Sequence, residues 1–102
     1  MVIRENLRPI KFKYVIVGNG AAGFTAAAHL RYLAPRAEII MVSAESVPLY
    51  SACVLPAYVS GEISRDRVFI KKEEDYRQLG IQTQWGRVVE RIDPAEKEVA
   101  LD

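Results

Sequence analysis

Short apolar runs alternate with polar breaks along the chain, and their period changes from one segment to the next. Val15, Ile16 and Val17 form a β-branched run that ends on a glycine, which predicts a strand. In residues 21–33, Ala22, Ala26, Leu30 and Leu33 recur at helical spacing and Pro35 forbids continuation, so a helix is expected, its small Ala22 and Ala26 side packed on the sheet beside Gly23. Residues 39–42 are apolar at successive positions, which suits a parallel strand covered on both faces. A loop with Pro48 spans 43–51, and the apolar stretch 52–59 ending at Ser60-Gly61 reads as a helical segment that Pro56 bends or splits. Residues 71–79 read as a short surface helix with Glu73 and Arg77 one turn apart, solvated charges and Gly80 as its stop. From Ile81 the pattern is that of strands at 81–85, 88–92 and 99–101, the last two joined through the turn-forming Asp93-Pro94.

Between the first strand and the helix stands Gly18-Asn19-Gly20-Ala21-Ala22-Gly23. A G-x-G-x-x-G run at a strand-to-helix junction needs its first glycine for a tight turn, its second for backbone approach to a pyrophosphate and its third for close helix-on-strand packing. The pyrophosphate then rests on the amides of the helix start, where the helix dipole favours an anion by roughly 0.3–2 kcal/mol. Glu45 follows the last glycine at about the 20-residue spacing expected of a ribose-binding carboxylate. The order predicts an α/β fold: a Rossmann-like FAD/NAD(P)-binding βαβ unit with a partly parallel sheet and a C-terminal β-hairpin.

With 102 residues the chain is one domain at most. Half of it is hydrophobic (50%) and its formal net charge is +1, so no polyanion-binding surface is implied and nucleic acid is not expected as a partner. Residues 1–12 carry Arg4, Glu5, Arg8 and Lys11 without an apolar stretch, so they read as an extension before a domain over 13–102, neither a secretory signal nor a membrane span. A cytoplasmic location is the default expectation. The single cysteine, Cys53, excludes an internal disulfide framework and a Cys-rich metal site, and His29 has no second histidine or acidic cluster in register, so no metal site is expected. Trp85 and Phe69 fit core positions, Tyr50 and Tyr58 bracket Cys53 as packing or pocket-lining aromatics, and Lys71 and Lys72 read as a solvated face.

The run Val15 through Gly23, the strand end Ser43-Ala44-Glu45, the stretch Leu49-Tyr50-Ser51-Ala52-Cys53-Val54-Leu55-Pro56-Ala57-Tyr58-Val59-Ser60-Gly61, and the later Tyr76-Arg77-Gln78-Leu79-Gly80-Ile81 and Val88-Val89-Glu90-Arg91-Ile92-Asp93 carry a resemblance over nearly the whole chain. Together they resemble the FAD-dependent pyridine nucleotide-disulfide oxidoreductase family, on the branch of NADH oxidases, coenzyme A-disulfide reductases and nitrite reductase-like flavoproteins. The resemblance implies that 13–102 is part of an FAD-binding domain, incomplete relative to the family, and that NAD(P)H is a cofactor of the complete enzyme. It implies that Gly18, Gly20 and Gly23, with Ala21 and Ala22 in the same turn, hold the FAD pyrophosphate, and that Glu45 binds the adenosine ribose, with Ser43 as its rival. Val88 matches a position that touches adenine through the main chain, and Cys53 matches a single redox cysteine. Val54 stands where that run has glycine, a departure that bears on close approach of a bulky substrate.

The thiol admits two readings. If Ser51 caps a helix, Cys53 sits in its first turn, where amides and dipole favour the thiolate that attacks a disulfide or peroxide, cycling through a sulfenic acid or mixed disulfide. Otherwise it is a buried small hydrophobe. Three functions are compatible with the sequence: the FAD-binding portion of an NAD(P)H-dependent flavin oxidoreductase, a non-catalytic fragment or accessory subunit that binds an adenine nucleotide or completes a partner's fold, and an NAD-binding domain. The expected partners are the flavin dinucleotide, the remainder of the enzyme or a second subunit, and further copies of the chain through uncovered apolar edges.

Overall fold

A computed structural model describes residues 2–4 and 13–102, so the segment read as an N-terminal extension lies outside the described residues except for 2–4. The elements are β1 (Val2–Arg4), β2 (Lys13–Val17), α1 (Ala21–Leu33), β3 (Glu38–Ser43), a 3₁₀ turn (Ala52–Val54), α2 (Leu55–Val59), a second 3₁₀ turn (Arg65–Arg67), α3 (Glu73–Gln78), β4 (Ile81–Trp85), β5 (Val89–Asp93) and β6 (Glu98–Leu101). They build the mixed α/β fold that the glycine turn and the strand runs predict. A parallel sheet has the order β2-β3-β4 and an antiparallel sheet the order β1-β6-β5. In the first, α1 is the crossover from β2 to β3, with Val15 opposite Ile40 and Val17 opposite Val42. In the second, β5 and β6 form the expected C-terminal hairpin, with Lys97 at φ +53 in its turn and a register shift between Val89 and Arg91. β1 was not legible as a strand; it pairs antiparallel with β6, Ile3 facing Val99.

β3 is apolar at successive positions because both of its faces are covered. Ile39 and Met41 point into a cluster with Phe24, Ala27, Leu49, Tyr76 and Ile81. Ile40 and Val42 point the other way, into a cluster with Ile3 and Leu101. All four β3 side chains are buried, so a one-residue slip would exchange the two sets.

The helix α1 spans the expected residues but presents a different face. Phe24 and Ala27 are its buried side chains, Ala28 and Leu30 pack against the core, and Ala22, Ala26 and Leu33 are exposed. The cause is Gly23: a Cβ there would lie 2.2 Å from the carbonyl oxygen of Gly18, so this point of the helix is where the chain crosses most tightly, and the residues around it turn inward. At the other end of α1, Arg31 donates to the carbonyls of Leu79 (2.7 Å), Gly80 (3.1 Å), Pro35 (2.9 Å) and Ala37 (2.7 Å). The guanidinium thus satisfies chain carbonyls beyond the helix C-terminus and ties α1 to the α3–β4 corner.

The stretch after β3 is split, as Pro56 requires. A three-residue 3₁₀ turn gives way to the short α2, with Pro56 in its first turn where a missing N–H costs nothing. α3 is shorter than the 71–79 expected, and its ion pair is Arg77 with Glu74 at 2.7 Å rather than with Glu73. Among the described residues no helix is long and apolar enough to cross a membrane.

Candidate functional site

The turn between β2 and α1 is built by local necessity. Gly18 has φ +106, a left-handed conformation that disfavours a side chain, and its N–H donates to the Val42 carbonyl at 2.7 Å, which seats the turn at the carboxyl end of β3. Gly20 caps α1 in extended conformation, and a Cβ placed on it would meet nothing within 4 Å. The first backbone bond of α1 runs from Phe24 N–H to Gly20 O at 3.0 Å, so the amides of Ala21, Ala22 and Gly23 lie ahead of the intrahelical ladder. The first turn of α1 carries no acidic side chain to compensate the positive end of the dipole.

That turn opens on a cleft of about 440 Å³ lined by Gly18, Asn19, Gly20, Ala21, Ser43, Ala44, Glu45, Leu49, Tyr50, Ala52 and Ile70. It lies outside the carboxyl ends of β2 and β3, the position at which open parallel sheets take nucleotides. The far wall is pinned by a short antiparallel contact: Tyr50 bridges Phe69, Ser51 N–H donates to Val68 O at 2.8 Å and Ile70 N–H to Leu49 O at 2.9 Å.

Of the residues singled out in the sequence, Gly18, Gly20, Ala21, Ser43 and Glu45 line this one cleft. Gly23 lies beneath it at the helix crossing, and Ala22 is exposed in the first turn of α1. Ser43 is buried, and its hydroxyl accepts the N–H of Glu45 at 3.2 Å, so it shapes the chain just after β3. Glu45 is exposed, and its Oε2 accepts the Tyr50 hydroxyl at 2.7 Å. That bond, and the carboxylate charge behind it, push the Tyr50 hydroxyl above the ordinary tyrosine pKa. Val88 is half-exposed just ahead of β5, outside the wall of the cleft, and its carbonyl accepts the Asp102 N–H at 3.0 Å. Cys53 is exposed, against the reading of a buried spectator, in the middle of the 3₁₀ turn next to Ala52 of the cleft wall. Ser51 occupies the capping position of that turn without a side-chain capping bond, and three residues align little dipole.

Two side chains escaped the sequence reading. Tyr76, placed on what looked like a solvated helix, is 1% exposed and stands edge-on to both Phe24 and Trp85 with centroids 5.2 Å away. Its hydroxyl accepts the Leu49 N–H at 2.9 Å and donates to Asn19 Oδ1 at 2.7 Å, while Asn19 Nδ2 donates to Val47 O at 3.3 Å. The available signal was a lone aromatic inside a charged run. Lys71 sits over the Phe24 ring at 5.1 Å and Lys72 caps α3 through its N–H to Asp75, so neither borders the cleft. Among the described residues no three metal-ligating side chains gather.

A protein-family model for pyridine nucleotide-disulphide oxidoreductase matches residues 12–102. An NADH oxidase of Methanocaldococcus jannaschii is 36% identical over 64 residues, which is 62% of this chain and 14% of that protein. An NADH oxidase of Lactococcus lactis subsp. cremoris is 32% identical over 88 residues, 85% of this chain and 20% of that protein. Among solved structures, reduced Bacillus anthracis CoADR-RHD superposes with a TM-score of 0.82 at 30% identity, covering 88% of this chain and 16% of its own. The chain thus spans a fifth or less of the length of these relatives.

Proposed function

The chain belongs to the pyridine nucleotide-disulphide oxidoreductase family, and from that premise we propose that it is the FAD-binding N-terminal portion of an NAD(P)H-dependent flavin oxidoreductase. One observation carries the reading: a glycine turn with open space over Gly20 and the amide of Ala21 ahead of the helical ladder lines the same cleft as Glu45. That donor set fits a dinucleotide. Amides and the positive helix end complement a pyrophosphate, and a carboxylate accepts from two ribose hydroxyls. The volume of about 440 Å³ lies within the roughly 300–1,000 Å³ of small-molecule sites.

In this reading Gly18, Gly20, Ala21 and Ala22 hold the pyrophosphate through the main chain, and Gly23 lets the helix come close enough to do so. Glu45 binds the adenosine ribose through Oε1, since Oε2 is engaged by Tyr50. Ser43, turned inward, supports the strand end instead. Val88 meets the adenine through its main chain at the outer end of the site. When bound, FAD supplies the electron transfer, and this chain's residues supply binding and orientation. Cys53 is the proposed redox thiol: its exposure next to the cleft wall gives a disulfide or peroxide access to it. NAD(P)H and the electron acceptor belong to the complete enzyme.

The test is the visible absorption spectrum of the purified chain alone and after addition of FAD, with ADP as competitor. Bound flavin displaced by ADP supports the assignment. Tight NADH binding with none for FAD or ADP overturns it.

A further inference from the structure

We propose that Tyr76 is a positioning residue for the nucleotide-binding turn, acting from α3 through Asn19. The inference rests on the reading of residues 18–23 as a pyrophosphate site and adds to it the group that fixes their geometry. The middle residue of Gly18-Asn19-Gly20 has no steric role of its own in such a turn, yet here it makes two side-chain bonds. Its Oδ1 accepts the Tyr76 hydroxyl at 2.7 Å, and its Nδ2 donates to Val47 O at 3.3 Å. The same hydroxyl accepts the N–H of Leu49, a residue of the opposite cleft wall, at 2.9 Å. A single oxygen behind the cleft therefore joins Asn19 of the turn to Leu49 of the opposite wall.

Tyr76 is suited to the task because its ring is buried and held from two sides. It is 1% exposed, clamped edge-on between Phe24 and Trp85, and Trp85 is held in turn by its Nε1–H to Glu73 Oε1 at 2.8 Å. A glycine-rich turn loses much conformational freedom on ordering, so a ligand that must order it binds more weakly than one that meets it already fixed. The tether meets that cost during folding.

Tyr76→Phe keeps the ring contacts and deletes only the hydroxyl, and Asn19→Ala deletes the other half of the tether without touching the core. Ile39→Val serves as a control that loosens the same core without contacting the turn. Amide hydrogen exchange resolved by residue is measured on the full chain, with and without ADP. In Tyr76→Phe and in Asn19→Ala, exchange at the bonded amides of Gly18 and Phe24, which close the two ends of the turn, should rise about tenfold relative to β3, with ADP affinity falling by about the same factor, the scale of one lost buried hydrogen bond. The double variant should add little to either single one. Ile39→Val should raise exchange evenly and leave ADP affinity in place. Unchanged exchange at Gly18 and Phe24 in both tether variants, or an equal local rise in Ile39→Val, overturns the tether. If ADP leaves the exchange of 18–22 in the unmodified chain untouched, the nucleotide reading itself fails, and the assigned role with it.

Discussion

Gly23→Ala and Gly20→Ala separate a packing glycine from a ligand-facing one, although the two lie three residues apart. At Gly23 the added methyl would sit 2.2 Å from Gly18 O and 3.1 Å from its carbonyl carbon. Backbone atoms cannot swing aside, so α1 must lift from β2 by about 1 Å, which costs roughly 3 kcal/mol at the upper end of overpacking. The better helix propensity of alanine offsets about 1 kcal/mol of this. A net loss of about 2 kcal/mol corresponds to a fall in Tm of roughly 8–16 °C for a domain of this size. At Gly20 the methyl meets nothing within 4 Å and φ is −96, which alanine adopts, so stability should stay within about 1 kcal/mol of the unmodified chain. That methyl instead occupies the space a phosphate would enter, and ADP affinity should fall by about tenfold or more. Calorimetry for Tm and isothermal titration with ADP read the two effects apart. An unshifted melt for Gly23→Ala would refute the close crossing, and undiminished ADP affinity in Gly20→Ala would refute the assignment of the turn to a phosphate.

Four further outcomes follow from the same geometry. Arg31→Ala should lower stability by about 2–3 kcal/mol in guanidinium unfolding, because a half-buried cation with several carbonyl partners is lost, and Arg31→Lys should not restore it since an ammonium cannot reach the same fan of acceptors; full recovery with lysine would contradict this. In alkaline titration at 295 nm, Tyr50 and Tyr76 should ionise above the ordinary tyrosine value of 10.0, Tyr50 because of Glu45 and Tyr76 because of burial, so the stability they contribute is complete below pH 10 and declines as the pH rises through their folded values. Glu45→Gln should bring Tyr50 back toward its ordinary value, and a titration unaffected by that change would exclude the bond. Cys53 should react with a thiol reagent in the native chain without prior unfolding, and inertness until denaturation would count against its exposure. Because β2 lies at one margin of the parallel sheet with Val17 half-exposed, the chain alone should self-associate at high concentration, and a clean monomer in sedimentation would contradict this.

The parts of the fold that the sequence disclosed are those where one residue type has one physical use. Gly18 announces the turn because its left-handed φ disfavours a side chain, Gly23 because a 2.2 Å approach leaves no room for one, and Pro56 announces the break before α2. The run 39–42 announces a strand covered on both sides because only such a strand is apolar at every position. Where the residues are interchangeable, the reading failed. In α1, alanines occur on every side, so spacing cannot say which of them face the sheet: it points Ala22 and Ala26 inward, whereas Phe24 and Ala27 are the ones buried. β1 is three residues long, below any period, and owes its existence to pairing with β6 at the far end of the chain. The candidate cleft was legible to the extent that it is local: Gly18, Gly20 and Glu45, singled out by spacing, line one cleft, whereas the bonds joining Asn19, Leu49 and Tyr76 connect residues 27 and 57 positions apart and leave no sequence pattern.

β3 is a party wall. Because its odd and even side chains belong to different interiors, neither side can melt without stripping a lining from the other, and the antiparallel hairpin and the crossover helix should lose their structure in a single step. Damage is nonetheless addressable: trimming Ile39 vacates the side toward Phe24 and Tyr76, trimming Ile40 the side toward Ile3 and Leu101, so neighbouring codons speak to opposite halves of the molecule while reporting to one common transition.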